Sequence, residues 1–452
     1  ATMCPRSSRR AATGGCPYKA KLTPGDTTIS VALCLGVKCV EVDNNLTPSH
    51  QGRPFRTGLC RVTRPGCVCG GFSRGKAFIC YTGHMAAPRP FQLLIKPASA
   101  DCNLRCAYCF YLRAQELYPD QARHVMPDDV QEQMIRNLLE YRFPQTVFAW
   151  QGGEPTLCGL DFFRRAVALQ QKYGASGQSV GNALQTNGML LDEEWCRFFH
   201  EYRFLIGLSL DGPQEVHDRF RVNLSGRGSW EQVMRAAELM NRYRVEFNIL
   251  CVVNDRNVEM GADLLRWYVD QGFFYLQFIP CVEAGYEHSV PPEKFGAFLC
   301  DIFDFWAKDG FGRVSIRDFD AMLAHRMGQG QPMCTFGRVC NHYVVVEHNG
   351  DVYPCDFFVY DHWKLGNLMD APLHTFLESE RYRQFAYQKS KVPACGGCAW
   401  RPWCHGGCQK DRMFPGDDLR QPTVLCEAYK TFFAHAAPRL NALAKKMARP
   451  RV

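Results

Sequence analysis

Between Phe91 and Pro280 the sequence alternates a short apolar run with a stretch of helical period, six times in succession. Few folds accommodate that order. "FQLLIK", "TVFAW", "VGNALQTNG", "FLIGLSLDG", "VEFNILCVVN" and "YLQFIP" read as strands. Helices are predicted near 128–141 and at 161–174, 192–201, 229–243 and 258–271. In the first of these, Val130, Met134, Ile135, Leu138 and Leu139 share a face. Strand–helix units at this spacing imply parallel strands joined by right-handed crossovers. A closed or partial barrel fits better than an open sheet, because the polar motifs all follow strands, where a barrel gathers its ligand loops. Beyond lies a helical connector, about 292–330, and then a cysteine-rich region, 334–426, read as short turns.

The bulk numbers exclude several classes. At 452 residues there is room for two or three domains, and 46% apolar with 22% charged residues is ordinary for a globular chain. No run of about eighteen apolar residues is present, and "TTISVALCLGVKCV" is too short and interrupted to span a bilayer. With no opening signal segment, a cytoplasmic protein without a membrane partner is expected. The net charge of +8 is local: residues 1–84 carry twelve Lys and Arg against three acids, which leaves the remainder at −1. A nucleic-acid groove is therefore not expected. Residues 1–84 show no sustained period and read as a poorly ordered extension, or as residues before a true start at Met85. A small metal-binding appendage around "CVC" lacks a clean four-ligand spacing.

Cysteine is the strongest chemical signal, with 24 in the chain, eight before residue 85 and sixteen after. In a cytoplasmic setting such usage points to metal or clusters rather than disulfides. Cys102, Cys106 and Cys109 form C-x3-C-x2-C in the loop after the first strand, one ligand short of a closed site. Three thiolates can hold three irons of a 4Fe–4S cube and leave the fourth open. The alternative, zinc with His124, places that histidine outside any ligand spacing. Eight further cysteines (Cys334, Cys340, Cys355, Cys395, Cys398, Cys404, Cys408 and Cys426) suffice for two fully ligated cubes or two zinc sites. Of the remaining five, Cys251 and Cys300 sit in apolar stretches as core residues, and Cys158, Cys196 and Cys281 receive no role.

The C-x3-C-x2-C motif, with an aromatic before its last cysteine, resembles the radical S-adenosylmethionine (SAM) superfamily, in which SAM occupies the open iron. "QGGEPTL" at 151–157 resembles the family's SAM contact, which implies roles for Gly153 and Glu154. "SLDG" and "HDRFR" imply Ser209 and Arg221 as further SAM contacts, and Tyr108 and Val282 match backbone contacts. The C-terminal cysteine order resembles the SPASM extension of peptide-modifying members. By that resemblance one cluster uses Cys334, Cys340, Cys355 and Cys408, and the other Cys395, Cys398, Cys404 and Cys426. "NLRCAYCFYL", "WQGGEPTL", "LQTNG", "LSLDGP", "YLQFIPC", "VSIRDFD" and "DVYPCDFFV" are similar to the anaerobic sulfatase-maturating enzymes over about 91–430.

That resemblance implies a partial (β/α)6 barrel over 85–290, a connector at 291–333 and an auxiliary-cluster domain with a C-terminal helix over 334–452. It also implies SAM and three 4Fe–4S clusters as cofactors. The reaction implied is oxidation of a sulfatase Cys or Ser to formylglycine, with Asp356 as base and Tyr111 and Gln151 lining the peptide site. Partners would be an unfolded sulfatase polypeptide and an electron donor such as flavodoxin or ferredoxin, acting on a monomer. The rivals are another SPASM enzyme that forms thioether or carbon–carbon bonds, and a non-catalytic iron–sulfur or zinc scaffold. Asp356 directly after Cys355, with no winged helix apparent in 1–84, favours the sulfatase reading over the first. Preference for Cys or Ser substrates is left open.

Overall fold

The computed structural model describes residues 90–119, 123–412 and 419–448. The expectations for residues 1–84 lie outside the described residues. Six parallel strands appear in chain order: β1 (Gln92–Lys96), β2 (Gln145–Trp150), β3 (Ser179–Thr186), β4 (Leu205–Ser209), β5 (Glu246–Val253) and β6 (Tyr275–Pro280). The crossovers are α1 (Asp128–Leu139), α2 (Leu160–Tyr173), α3 (Glu193–Glu201), the short α4 (Gln214–His217) with α5 (Trp230–Arg242), and α6 (Gly261–Asp270). The apolar face expected of the first helix is the buried face of α1, and Asp128 and Asp129 favour its N-terminal dipole end.

Strand alternation divides the barrel wall. Leu93 and Ile95 face the large outer core, where Met134, Phe163, Phe199, Val233 and Leu264 pack from the helices. Leu94, Ala149, Ala183, Leu205 and Gly207 face inward and line a cavity of about 100 Å³. The small Ala149, Ala183 and Gly207 leave that space open.

The connector holds α7 (Pro292–Phe305), the two-residue β7 (Ser315–Ile316) beside β6, and α8 (Arg317–Arg326). The cysteine-rich region corrects the expectation of turns alone. Within it β8 (Tyr343–Glu347) pairs parallel with β1, and β9 (Asp351–Tyr353) and β10 (Gly366–Asn367) extend the sheet antiparallel. The result is one ten-stranded sheet in the order β10-β9-β8-β1-β2-β3-β4-β5-β6-β7. Short helices α9 (Leu373–Leu377), α10 (Glu380–Gln388) and α11 (Arg401–Cys404) follow, then the long α12 (Cys426–Met447). Helix α12 returns to the barrel side, where Phe432 stacks on Phe319 at 5.5 Å and meets Phe303 at 5.8 Å. Among the described residues no helix is long and apolar enough to cross a membrane.

Candidate active site

The loop carrying Cys102, Cys106 and Cys109 leaves the C-terminal end of β1 through a tight turn, with Ser99 N–H donating to Lys96 O at 3.1 Å and Asp101 N–H to Ala98 O at 2.9 Å. Two other strand-end loops grip it. From the loop after β2, Gly153 N–H donates to Ser99 O and Glu154 N–H to Asp101 O, both at 2.7 Å. From the segment after α4, Val222 O accepts from Arg105 N–H at 2.8 Å and Phe220 O from Ala107 N–H at 3.2 Å. A Cβ on Gly153 would stand 2.0 Å from Asp101 O, so the "GGEP" glycine serves this loop-to-loop approach.

Glu154 is fully buried and accepts from Thr156 N–H (3.0 Å), Thr156 Oγ1 (2.6 Å) and Thr186 Oγ1 (2.9 Å) at Oε1, and from Asn187 N–H (2.7 Å) at Oε2. Asn187 Nδ2 in turn reaches Cys102 Sγ at 3.5 Å. The carboxylate thus ties the third strand's loop to the thiol loop. Burial pushes the Cys102 thiol up to about 12 and the Cys106 thiol up to about 11, and Cys109 is raised for the same reason. Three such thiols become stable thiolates when a cationic metal group arrives, which fits the donor set to a cluster. His124 stands apart from them, with Nδ1 at 2.9 Å from Asp101 Oδ1 and Nε2 at 2.9 Å from Tyr118 O.

Beneath the thiol loop lies a residue the sequence reading passed over within "SLDG". Asp211 is fully buried and binds the Arg221 guanidinium twice, at 2.9 and 3.1 Å. It also accepts from the Tyr108 hydroxyl and, at 2.9 Å, from Val252 N–H. Arg221 lies 5.4 Å from the Tyr108 ring centroid and helps to lower the Cys106 thiol against its burial. Ser209 ends β4, half-buried. Val282, just beyond β6, is buried, and its carbonyl accepts from Lys410, which also pairs with Glu283 at 2.6 Å.

The second group of residues meets the first across the β1–β8 seam. A turn of 3-10 helix, Phe110–Leu117, lies against another, Asp356–Phe358, with Phe110 and Phe357 at 4.5 Å and Arg113 donating to Phe357 O at 2.8 Å. Asp356, 14% exposed, follows Cys355 and stands 3.7 Å from Lys96 Nζ. Tyr111 is buried, donates to Glu347 and lies under the same lysine. Burial pushes the Lys96 ammonium down against the opposing pull of Asp356 and Glu347. Gln151 follows β2, lines the barrel cavity, and donates its N–H to Ile95 O at 2.8 Å. The sequence signal for Lys96 was weak, because it closes an apolar strand like any terminal charge.

The C-terminal thiols fall into two neighbourhoods. Burial raises Cys334, Cys355 and Cys408; Cys334 and Cys340 bear on Cys408, and Cys408 and Cys334 on Cys355. Cys395, Cys398, Cys404 and Cys426 instead line one small cavity with Trp400, Arg401 and Lys430. The turn between Cys404 and Cys408 runs through three successive residues with positive φ, His405, Gly406 and Gly407. It is clamped by fully buried Arg412, which donates to the carbonyls of Gly406, Lys389 and Leu419 at 2.7 to 3.2 Å. Among the described residues no three His, Cys, Asp or Glu side chains converge on a single-ion site. Cys196, Cys251 and Cys281 are buried, and Cys158 and Cys300 are half-buried.

Comparison with known proteins gives the same two parts. Residues 97–268 match the radical SAM superfamily, and 334–399 match an iron–sulfur cluster-binding domain. The chain is 40% identical over 360 residues to a cysteine-type anaerobic sulfatase-maturating enzyme of Clostridium perfringens, covering 78% of this chain and 97% of that one. It is 38% identical over 383 residues to a serine-type enzyme of Bacteroides thetaiotaomicron, covering 79% and 92%. The solved structure of native anSMEcpe with bound AdoMet and Kp18Cys peptide superposes with a TM-score of 0.74 at 40% identity, covering 79% of this chain and all of that one. Streptococcus suis SuiB bound to S-adenosylmethionine, at 16% identity and a TM-score of 0.55, shares the fold over 75% of this chain and 77% of that one.

Proposed function

The chain belongs to the anaerobic sulfatase-maturating enzymes of the radical SAM superfamily, and from that premise we propose that it converts a Cys or Ser of a sulfatase polypeptide to formylglycine without oxygen. It is an enzyme that uses SAM and iron–sulfur clusters. Cys102, Cys106 and Cys109 would hold the cluster that binds SAM. Gly153, Glu154, Ser209, Arg221, Tyr108 and Val282 would surround SAM. Cys334, Cys340, Cys355 and Cys408 would hold one auxiliary cluster and Cys395, Cys398, Cys404 and Cys426 the other. When bound, the reduced cluster and SAM supply a 5′-deoxyadenosyl radical for hydrogen removal at the target Cβ, and the auxiliary clusters supply an electron acceptor.

The residues of the chain do the rest. Tyr111 and Gln151 line the place of the target residue, and Asp356 takes the thiol or hydroxyl proton as the carbon is oxidised. The barrel cavity beside Gln151 would shield the target residue from bulk water. We take 85–290 as the catalytic barrel, 291–333 as connector and 334–452 as the auxiliary domain. A cytoplasmic monomer fed by a flavodoxin- or ferredoxin-type donor completes the proposal.

One observation carries this reading: the β1–β8 pairing sets Asp356, beside a cluster cysteine, next to the loop of the first thiol group. The test is mass spectrometry of sulfatase peptides of about eighteen residues, long enough to cross a barrel mouth, in Cys and Ser versions, with SAM and a strong reductant. Formylglycine formation from either peptide supports the proposal. A thioether or carbon–carbon crosslink in place of formylglycine would replace it with the rival chemistry.

A further inference from the structure

Lys96 closes β1 with its side chain 1% exposed, and its register partner on β8 is Glu347. Its stem packs on Gly152, where a Cβ would come within 3.3 Å of Lys96 Cδ, and Gly152 holds a φ of +133°. The ammonium has Asp356 Oδ2 at 3.7 Å and the Tyr111 ring at 4.3 Å from its centroid, and it feels the Glu347 carboxylate that Tyr111 itself engages and the Cys355 and Cys109 thiols. An aliphatic residue would fill the same stem volume at less cost in desolvation. What the ammonium adds is a fixed cation among two carboxylates and an aromatic face, and it comes from the barrel side of the seam.

We propose that Lys96 is a positioning residue for the reaction. Its buried ammonium holds the Asp356 carboxylate and the Tyr111 ring in one geometry across the seam between barrel and auxiliary region. This rests on the formylglycine reading given above. Lys96 fixes where the base stands relative to the target residue. Its side chain contacts Asp356, Tyr111 and Gly152 and none of the residues assigned above to SAM, so hydrogen removal is expected to proceed without it. A displacement of about 1 Å at such a site can cost a hundredfold in rate.

The experiment uses the reconstituted full-length enzyme with a sulfatase Cys peptide deuterated at the target Cβ. Formylglycine formed per 5′-deoxyadenosine is measured for the native protein, Lys96→Met, Lys96→Arg, Asp356→Asn and the double variant Lys96→Met/Asp356→Asn. Lys96→Met is expected to retain iron and deuterium transfer while that ratio falls at least about tenfold. Lys96→Arg should recover part of the loss, and the double variant should be no worse than Asp356→Asn alone. A ratio within twofold of native in Lys96→Met, or multiplicative losses in the double variant, would overturn the assignment. If Lys96→Met loses iron, Lys96→Gln is read in its place, and loss of iron by both would make Lys96 structural and overturn it equally. No formylglycine from the native enzyme would remove the parent reading, whereas native product with an unchanged variant ratio removes this inference alone.

Discussion

The first three thiols sit on one loop of eight residues, gripped by the loops of neighbouring strands. The C-terminal eight are spread from Cys334 to Cys426 among strands of two to five residues and helices of four to nine, the last thiol opening the 22-residue α12. The barrel packs its helices on a parallel ladder in a core that it shares with the C-terminal region, and its thiol loop is held by backbone hydrogen bonds from two neighbouring loops. The C-terminal elements are too short to stand alone, and lean on β1, on α12, on buried clamps such as Arg412 and, under the proposed cluster assignment, on their thiols being tied together. In the barrel the fold makes the site. In the C-terminal region the sites, under the proposed cluster assignment, help to make the fold.

The contrast can be broken most sharply at Cys106. Cys106→Ala should abolish SAM cleavage and peptide modification together while sparing the auxiliary sites, so that iron falls from about twelve toward about eight per chain. Native rates of 5′-deoxyadenosine formation would show that the thiol loop is not the SAM site. Next in size, Asp356→Asn should keep its iron and still transfer deuterium from the target Cβ, yet form formylglycine at least about a hundredfold more slowly. Product within a few-fold of native would remove Asp356 from the mechanism.

Iron removal tests the two plans directly. After chelation, amide hydrogen exchange should rise by several orders of magnitude around 395–412 while β2–β5 stay protected within about tenfold. Equal deprotection of both regions would erase the distinction. The smallest effect concerns His217, fully buried between Asp211 N–H and Ser229 Oγ, where burial lowers its pKa to about 4 from 6.5. Between those values the unfolded chain binds the additional proton, so stability is full above pH 6.5 and falls as pH drops toward 4. About 2 kcal/mol should be lost between pH 6.5 and 5 in denaturant melts. His217→Gln should flatten that slope within the barrel and leave the acid sensitivity of the C-terminal region as it was.

The barrel was legible because its signals are local. Each strand and helix declares itself within a few residues, and α1 buries the face its spacing predicts. That Cys102, Cys106 and Cys109 share the loop after β1 was legible for the same reason. What the sequence hid is long-range. "YVVVE" is a passable strand, but nothing near it says that its partner is β1. β7, β9 and β10 are too short to show a period at all. Gly153 reads as a ligand-facing glycine, and nothing in sequence shows that its missing Cβ also accommodates Asp101 O. Asp211 and Lys96 are ordinary letters in sequence, and their roles appear only when Arg221 and Asp356 are brought to them.

The pairing of β1 with β8 also bears on how such a chain is made. Gln92 must wait for Tyr343, so one flank of β1 has no partner until roughly 250 further residues have left the ribosome. Until then the nascent barrel presents an open, apolar parallel edge, a template for pairing with a neighbouring chain. The pairing joins residues far apart in sequence, which raises contact order and slows folding. The seam that carries Asp356 to the barrel therefore forms only late in synthesis, with β9 and β10 still to follow, and truncated chains ending before Tyr343 should aggregate rather than fold to a half-active barrel.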